Sequence, residues 1–407
     1  MREMKDSGVE WIGEIPKIWD LVQLGSLFVE HKHKNIGMQS DNLLSLSYGN
    51  IIRKDINTSD GLLPESFEGY NVIDDGDIVL RLTDLQNDQR SLRVGLSHEK
   101  GIVTSAYVTL RRRNTDMDSK FYYYLIHSYD IRKGFYGMGA GVRQGLNYTG
   151  VRKIMLTLPS VGEQHRIVEF LEKKITNVDT LIGNVQKQIE KLKAYKQSLI
   201  TEVVTKGLDS TVPMKDSGVE WIGEMPKHWN LIRFRFIAKI TTGNQDTQNA
   251  NSEGKYPFYV RSPIVEKCDV YTFDGEGILM AGDGAGAGRV FHLVDGKYAV
   301  HQRVYRFYDF KYMDSLLLKM YLENLFSKVM DYGSAKTTVP SVRLPMIQDF
   351  YVCVPPQNEQ YDMVKFLSEK VDKIDGLIAI KQSKIEKLEQ YKRSLIYEYI
   401  TGKKEVS

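Results

Sequence analysis

The sequence predicts a mixed α+β protein with an internal pseudo-two-fold repeat. Two globular domains are expected to be separated by two long helices that pair as an antiparallel coiled coil. Three observations predict this class: a fifteen-residue signature occurs twice, a long helical segment occurs twice, and the block between them in each half has the short apolar runs of β-strands. A repeat on this scale indicates two copies of one architecture in a single chain.

Length and composition agree with a folded protein of more than one domain. The chain of 407 residues exceeds the usual size of one domain, and its 42% hydrophobic and 26% charged residues are typical of globular proteins. A net charge of +3 excludes a polycation, so nucleic-acid binding would need local patches. Because no apolar run has the length of a membrane span or a secretory signal, we expect a cytoplasmic protein with no membrane partner.

The first repeated element is the signature. It is KDSGVEWIGEIPKIW from Lys5 to Trp19 and KDSGVEWIGEMPKHW from Lys215 to Trp229. All four tryptophans of the chain lie in these copies, which predicts one packing role for both, the seating of each globular domain against the helices. Stretches that differ so little carry no information that could distinguish two ligands.

The second repeated element begins with Glu-Gln and is predicted to be a long helix. Apolar residues recur at alternating spacings of four and three, as in a coiled-coil seam, with Lys196 interrupting the first copy and Lys381 and Lys392 the second. The seam positions are Leu171, Ile175, Val178, Ile182, Val185, Ile189, Leu192, Leu199 and Val203, then Leu367, Val371, Ile374, Ile378, Ile385, Leu388, Leu395 and Tyr399.

Start and stop signals bound both helices. Ser160 and Glu163 predict a capping box for the first, and the prolines at 355–356 pre-set the backbone before the second. Gly207 and Gly402 predict the stops. Each helix would be about 60 Å long, too long to bury against one small domain. We therefore expect the helices to pair within one chain rather than as a dimerisation coil between chains.

The blocks between the repeats scarcely resemble each other, apart from a shared tendency to strands and one helical run in each, at 120–128 and 315–328. Each block is predicted to be a compact α+β domain. The predicted segments are a signature at 1–19, a first domain at 20–158, a first helix at 159–208, a linker and second signature at 209–229, a second domain at 230–356 and a second helix at 357–404.

Certain loops of the blocks combine Arg, Gln, Asn, Asp and Lys with glycine and aromatic residues. They are RLTDLQNDQRSLRVG at 81–95, GMGAGVRQGLNY at 137–148, AGDGAGAGRVFH at 281–292, HQRVYRF from 301 and GSAKTTVPSVR at 333–343. Arg can make two hydrogen bonds to guanine, and Asn and Gln can do the same with adenine, so this mix suits the edges of DNA bases. Ser, Thr and Lys can bind the neighbouring phosphates. The alternative is that these are the ordinary polar loops of any globular protein.

The sequence contains no recognisable catalytic pattern. GDGAGAG lacks the Lys-Ser/Thr of a phosphate-binding loop and precedes a strand-like run, which predicts a turn between strands. HExxH, GxSxG, paired Cys-His spacings and the motif of an amino-methyltransferase are absent from the sequence. Cys268 and Cys353 lie apart in apolar stretches, so we expect packed thiols rather than a disulfide or a metal site.

The order of these motifs resembles the DNA-specificity subunit of type I restriction-modification enzymes, over essentially the whole chain. The resemblance implies that each insert is a target-recognition domain for one half of a split, asymmetric site in double-stranded DNA, with the helices as spacer. It also implies that the chain binds no cofactor and catalyses no reaction itself. It would recruit two methyltransferase subunits that use S-adenosylmethionine, and restriction/translocase subunits that use ATP and Mg²⁺.

Carried onto this sequence, the resemblance implies DNA contacts in the polar loops. In the first block the candidates are Arg81, Asp84, Gln86, Asn87, Gln89, Arg90, Tyr107, Arg143, Gln144 and Asn147. In the second they are Asp283, Gly286, Arg289, His301, Gln302, Arg303, Lys336, Thr337 and Thr338. Two alternatives stay open: a stand-alone bipartite DNA-binding protein such as a repressor, and a coiled-coil scaffold that does not bind DNA.

Overall fold

The structure, a computed structural model, describes residues 2–57, 64, 66–85, 88, 91–136, 138, 145–333 and 340–406, with the backbone alone at 331–333. The chain divides into two compact units. Unit 1 comprises Met1–Val185 and Ser383–Ser407, and unit 2 comprises Gln186–Gln382. Each unit therefore contains one signature, one insert, the first part of one long helix and the last part of the other.

The strands of unit 1 are β1 (Met4–Asp6), β2 (Glu14–Pro16), β3 (Asp20–Gln23), β4 (Phe28–Glu30), β5 (Leu44–Ser47), β6 (Asn50–Arg53), β7 (Asn71–Ile73), β8 (Ile78–Leu80), β9 (Val94–Leu96), β10 (Gly101–Val103), β11 (Val108–Arg112) and β12 (Met155–Leu158). Its helices α1 (Leu24–Leu27), α2 (Ser119–Ile131) and α3 (Tyr148–Val151) precede the long helix α4 (Val161–Lys206).

The strands of unit 2 are β13 (Met214–Asp216), β14 (Glu224–Pro226), β15 (Asn230–Arg233), β16 (Lys239–Thr242), β17 (Tyr256–Tyr259), β18 (Glu266–Cys268), β19 (Phe273–Asp274), β20 (Gly277–Ala281), β21 (Phe291–Val294), β22 (Lys297–Val300), β23 (Val304–Tyr308) and β24 (Tyr351–Val354). Its helices α5 (Ser315–Gly333) and α6 (Leu344–Gln348) precede the long helix α7 (Gln357–Ile400).

The main sheets of the two units have the same antiparallel strand order. It is β4-β11-β8-β9 in unit 1 and β16-β23-β20-β21 in unit 2. The ends of each insert also pair with each other, since Asp20 lies opposite Leu158 and Asn230 opposite Val354. Inserts that differ in sequence thus share one topology, and each begins and ends at one antiparallel strand pair.

The second tryptophan of each signature is hydrogen-bonded to the glutamate of the Glu-Gln pair. Nε1 of Trp19 donates to Oε2 of Glu163 at 2.9 Å, and Nε1 of Trp229 donates to Oε2 of Glu359 at 2.9 Å. Both rings are 1% exposed. The other oxygen of Glu163 accepts from Arg2, so this carboxylate faces the signature, and the predicted capping box is wrong. The predicted seating of each signature against a helix is confirmed.

The glutamine of each pair ties the same helix start to the insert. Oε1 of Gln164 accepts from the backbone N–H of Asp118 at 3.0 Å, and Oε1 of Gln360 accepts from that of Asp314 at 2.7 Å. The two aspartates in turn accept hydrogen bonds from the first backbone N–H groups of α2 and α5. Glu-Gln is therefore a junction at which the signature, the insert and the long helix meet.

Each signature also contacts the end of the other long helix. The hydroxyl of Tyr397 donates to two carbonyls of the first signature at 3.0 and 3.1 Å. Gly402 and Gly207 follow the helices with φ of 73° and 79°, as the predicted stops require. A Cβ on Gly402 would lie 2.4 Å from the Pro16 side chain, and one on Gly207 would lie 3.0 Å from Trp229. Glycine therefore lets both helix ends approach the signatures.

The long helices run antiparallel within each unit. Phe170 of α4 lies 4.5 Å from Tyr399 of α7 between ring centroids, and residues further along α4 contact residues earlier in α7. The lysines that interrupt the apolar seam reach across the pair. Their contacts, all at 2.6 Å, are Lys392 with Asp179 in unit 1 and Lys196 with Asp375 and Lys381 with Gln188 in unit 2. The predicted antiparallel pairing within one chain is confirmed.

The cores contain the elements that the repeats bring together. In unit 1 Trp19 packs with α2, the start of α4 and the end of α7, and in unit 2 Trp229 packs with α5, the start of α7 and the end of α4. Both cysteines are free and buried, as predicted, and burial raises the pKa of the Cys353 thiol to about 11. Over the described part of the chain, no helix has the length and apolar character that a membrane crossing requires.

The tryptophan–glutamate bond leads to a prediction for stability. Trp19→Phe keeps an aromatic ring but leaves the buried Glu163 carboxylate without its indole donor, which should cost about 1.5–3 kcal/mol. Hydrogen exchange followed by mass spectrometry should show faster exchange in the peptides of unit 1. Trp229→Phe should instead accelerate exchange in unit 2.

The matched control is Trp11→Phe, because the Trp11 ring packs edge-on against Tyr129 at 5.0 Å. This change also removes ring area but breaks no bond to Glu163. Equal acceleration of exchange by Trp11→Phe and Trp19→Phe would contradict a special role for the hydrogen bond.

Candidate nucleic-acid interface

In each unit, described residues of the predicted polar loops lie at one end of the main sheet. Val108 at the start of β11 pairs with Leu80 at the end of β8, so the residues before β11 and after β8 lie at the same sheet end. In unit 2, Val304 at the start of β23 pairs with Ala281 at the end of β20, so the residues before β23 and after β20 also lie at one sheet end. Antiparallel pairing thus brings segments distant in sequence into one surface.

In unit 1 two of these segments are joined directly. The backbone N–H of Leu146 donates to the carbonyl of Leu82 at 2.9 Å, which places the segment before α3 beside the loop that follows β8. Asn147 caps α3 by accepting from the backbone N–H of Gly150 at 3.2 Å. Arg81 is about one-third exposed, with its guanidinium 3.7 Å from the Asp88 carboxylate.

A buried arginine lies beneath the loop after β8. Arg93 is 0% exposed, and its guanidinium donates to the carbonyls of Thr83 at 2.7 Å and of Arg81 and Asp84 at 3.2 Å each. It also donates to the carbonyl of Asp88. The loop is therefore held from inside by one side chain.

The backbone and Nε of the same arginine are held by α2 and the segment after it. The Asp130 carboxylate accepts from the backbone N–H of Arg93 at 2.5 Å, and the Tyr136 hydroxyl accepts from its Nε at 3.1 Å. Burial raises the pKa of Asp130 to about 6, against the opposing effects of the Arg93 N–H and the Arg93 charge. The loop is thus tied to the core of unit 1.

In unit 2 three segments meet at the sheet end. The loop at 282–290 joins β20 and β21, which confirms the predicted turn between strands. Its Gly282 accepts from the backbone N–H of Val342 at 2.8 Å and donates to the carbonyl of Arg303 at 2.9 Å. A Cβ on Gly286 would lie 2.6 Å from the carbonyl oxygen of Arg261, so this close approach needs glycine.

Charged and amide side chains cluster on the surface of these segments. Asp283 lies 3.0 Å from the guanidinium of Arg261 and 3.8 Å from that of Arg303. Arg303 is 66% exposed and Arg261 46%. The side-chain amide of Gln302 donates to Asp246 at 2.8 Å. The Asp283 carboxylate therefore lies near two exposed guanidinium groups. Guanidinium groups can bind guanine or phosphate through two hydrogen bonds.

His301 stands apart from this exposed group. It is 3% exposed, its ring stacks at 6.4 Å on Phe258, and its Nδ1 accepts from the backbone N–H of Arg303 at 3.0 Å. Burial, and next the charge of Arg261, lower the pKa of His301, which favours the neutral ring that this acceptance needs. Its position is that of a residue that shapes the turn before β23.

The remaining predicted residues fall into three groups. Arg289 is exposed on the loop at 282–290, and Asp84 has a φ of 56° on the loop after β8. Tyr107 is half-buried against the core at the turn before β11. The predicted positions outside the described residues are Gln86, Asn87, Gln89, Arg90, Arg143, Gln144, Lys336, Thr337 and Thr338.

The sequence-based candidates omit two arginines, one in each unit. Arg93 lies in the quoted loop but was not a candidate, and a buried role has no signal in local composition. Arg261 follows β17 in a short segment without the glycines that marked the other loops, and it lies beside Asp283 and Gly286 of the loop at 282–290. Within the described residues, no group of His, Cys, Asp and Glu side chains is arranged to hold a metal ion.

Comparison with known proteins shows which family this chain is similar to. Residues 226–390, which include the second insert and most of α7, match the family described as "Type I restriction modification DNA specificity domain".

Two curated proteins are similar to this chain along nearly its whole length. The type I restriction enzyme MjaVIII specificity subunit of Methanocaldococcus jannaschii is 24% identical over 96% of this chain and 93% of its own length. The putative type I restriction enzyme MjaX specificity subunit of the same organism is also 24% identical, over 96% and 95%. The similarity thus extends to the first insert and both helices.

A solved structure has the same fold. A chain from work described as the structural basis of complex assembly and conformational transition of the type I R-M system is 16% identical, with a TM-score of 0.69 over 95% of this chain and 98% of that one. The predicted fold class, an α+β chain with two globular domains and paired long helices, is confirmed.

Proposed function

We propose that this chain is the DNA-specificity subunit of a type I restriction-modification enzyme and recognises a bipartite, asymmetric site in double-stranded DNA, with one half-site for each unit. The observation that carries the proposal is the pair of main sheets with one strand order and different loops at the same sheet end. A common scaffold supplies one docking geometry, and different loop side chains supply different base contacts.

The chemistry of the loops supports base recognition. Unit 2 exposes Arg261 and Arg303 beside Gln302, and arginine forks and side-chain amides are the groups that discriminate bases in the major groove. The net charge of +3 is small for a DNA-binding chain of this size, so affinity from phosphate contacts alone would be modest. Base contacts and partner subunits would supply the remainder.

The repeats support recruitment of paired partners. The signatures and Glu-Gln junctions have the same local structure in both units, with the same Trp–Glu distance of 2.9 Å. Two equivalent surfaces suit two copies of one partner. We propose that these are methyltransferase subunits that use S-adenosylmethionine to methylate adenine, and that restriction/translocase subunits driven by ATP and Mg²⁺ join the same complex.

The long helices are proposed to set the gap between the half-sites. α4 and α7 are continuous over 46 and 44 residues, and their cross-pair contacts keep one antiparallel register. A spacer of this kind changes length only in matched steps, because removing residues from one helix alone would displace its contacts with the other.

The proposed function leads to a prediction for DNA binding in gel shifts. The purified chain should bind DNA weakly, and the complex with methyltransferase subunits should bind its site tightly. In that complex, the double substitution Arg261→Ala and Arg303→Ala should weaken binding by about tenfold or more, since each base-reading fork contributes about 1–3 kcal/mol.

The matched control is Lys239→Ala. Lys239 is also a cation on the same sheet, but it pairs with Asp309 at 2.9 Å at the opposite sheet end, and its loss should change binding by less than about twofold. Equal weakening by both changes would indicate general charge attraction. Tight binding by the chain alone would favour a repressor, and no selective binding by the complex would favour a scaffold.

The second prediction concerns the spacer. Deleting 182–188 from α4 together with 382–388 from α7 removes one heptad from each helix while outer pairs such as Lys392–Asp179 stay in register. Seven residues span about 10 Å of helix, so the gap should shorten by about three base pairs. Mapping methylated adenines in cells measures the gap, and an unchanged gap would contradict the spacer role.

A further inference from the structure

We propose that Arg93 is a positioning residue for base discrimination by unit 1, an inference that rests on the proposed DNA-reading function. Arg93 is fully buried and cannot touch DNA itself. Its guanidinium gathers the carbonyls of Arg81, Thr83, Asp84 and Asp88, which lie on the loop after β8. It would act through Arg81 and Asp84, the candidate DNA-contacting residues of this loop whose backbone carbonyls it binds.

The hydrogen bonds of Arg93 account for the shape of the loop. A guanidinium has five N–H donors in a fixed plane, and here they meet four backbone carbonyls and the Tyr136 hydroxyl. Burying a cation costs free energy unless all its donors are hydrogen-bonded. Movement of the loop away from Arg93 would therefore leave the guanidinium buried without acceptors or expose it to water. The carbonyls of Arg81, Thr83, Asp84 and Asp88 are thereby held together in one arrangement.

Unit 2 holds its corresponding loop in another way. The pair Leu80–Val94 of unit 1 corresponds to the pair Met280–Phe291 of unit 2. The residue before Val94 is Arg93, and the residue at the same position before Phe291 is Val290. The loop at 282–290 is shorter than the one at 81–93 and closes on itself. Its backbone bonds join Gly288 to Ala281 at 2.9 Å and Val290 to Gly286 at 3.0 Å. The longer loop of unit 1 has a side-chain anchor where the shorter one has backbone turns.

A fixed loop matters more for discrimination than for attraction. A flexible loop can rearrange to suit a wrong base, whereas a pre-shaped loop leaves donors and acceptors unpaired when the base is wrong. Loss of the Arg93 contacts should therefore relax selectivity at the half-site of unit 1. The half-site of unit 2 should keep its selectivity, because its loop contains no such anchor.

The test measures base discrimination by the complex with methyltransferase subunits. Gel shifts compare the methylated motif with duplexes that carry one substituted base in either half-site. The half-site of unit 1 is the one whose discrimination survives Arg261→Ala and Arg303→Ala. Arg93→Lys keeps the charge but loses the planar fork, and should reduce discrimination in that half-site by about fivefold or more, as a mismatch normally costs about 1–3 kcal/mol.

Two further variants separate positioning from stability. Tyr136→Phe removes the hydroxyl that accepts from Arg93 and donates to the Asp88 carbonyl at 3.2 Å, and should relax the same half-site to a smaller extent. Arg111→Lys weakens the pairs of Arg111 with Asp74 and Asp77 at 2.7 and 2.6 Å elsewhere in unit 1. It should lower stability and leave discrimination unchanged.

The outcomes are distinguishable. Relaxed discrimination in one half-site by Arg93→Lys and Tyr136→Phe, with Arg111→Lys like the unsubstituted chain, supports the proposal. If Arg93→Lys does not fold, Tyr136→Phe decides alone. Unchanged discrimination, or equal loss in both half-sites, overturns it. Absence of selective binding by the unsubstituted complex would instead overturn the proposed function.

Discussion

A hydrogen bond from a buried indole to a carboxylate, made once in each unit, fixes where the other elements lie. Trp19 and Trp229 donate to Glu163 and Glu359 at the same distance of 2.9 Å. The neighbouring glutamines bind the backbone at the start of α2 and α5. Glu163 is buried and Glu359 is partly buried, and a carboxylate removed from water needs its donors, so separating a signature from its helix would be costly. Both inserts are therefore attached to the long helices through the same contacts.

Because of this junction, the parts of the chain that fix the fold are distinct from the loops proposed to contact DNA. The repeated sequence lies in the signatures and long helices, the two inserts share one strand order, and the loops that follow β8 and β20 differ. Each insert enters and leaves through one strand pair, β3–β12 or β15–β24. An insert can therefore diverge without disturbing its attachment. The two units already illustrate this, since one loop is anchored by a buried arginine and the other by its own backbone.

The repeated parts of the fold could be predicted from the sequence because the same motifs occur in the same order in both halves, so each copy supports the interpretation of the other. Heptad spacing in two copies predicted the antiparallel helices, and Gly207 and Gly402 predicted their ends. The interruptions at Lys196 and Lys392 looked like defects in the seam, yet both lysines bind aspartates of the partner helix. Spacing alone cannot reveal such contacts, because they depend on the register between the helices.

The surface could be predicted only as a set of loops. Polar and glycine-bearing composition located the sheet end, but side-chain orientation depends on pairings distant in sequence. His301 is buried and Arg261 is exposed beside Asp283, which no local pattern distinguishes. Glu163 was assigned to a helix cap, and the donor that it serves lies in the signature, far away along the chain. The shared topology of the inserts was likewise hidden, because strand order depends on buried shape rather than on particular residues.

The central claim is that two interchangeable recognition domains on one repeated frame specify the two halves of a DNA site. The most direct measurement is a map of methylated adenines in cells that carry two forms of this chain together with the methyltransferase subunits proposed as its partners. One form is unchanged, and the other has residues 20–158 replaced by the insert of another family member. The account predicts that one half of the methylated motif changes while the other half and the gap stay the same. A change in both halves, or in neither, would contradict it.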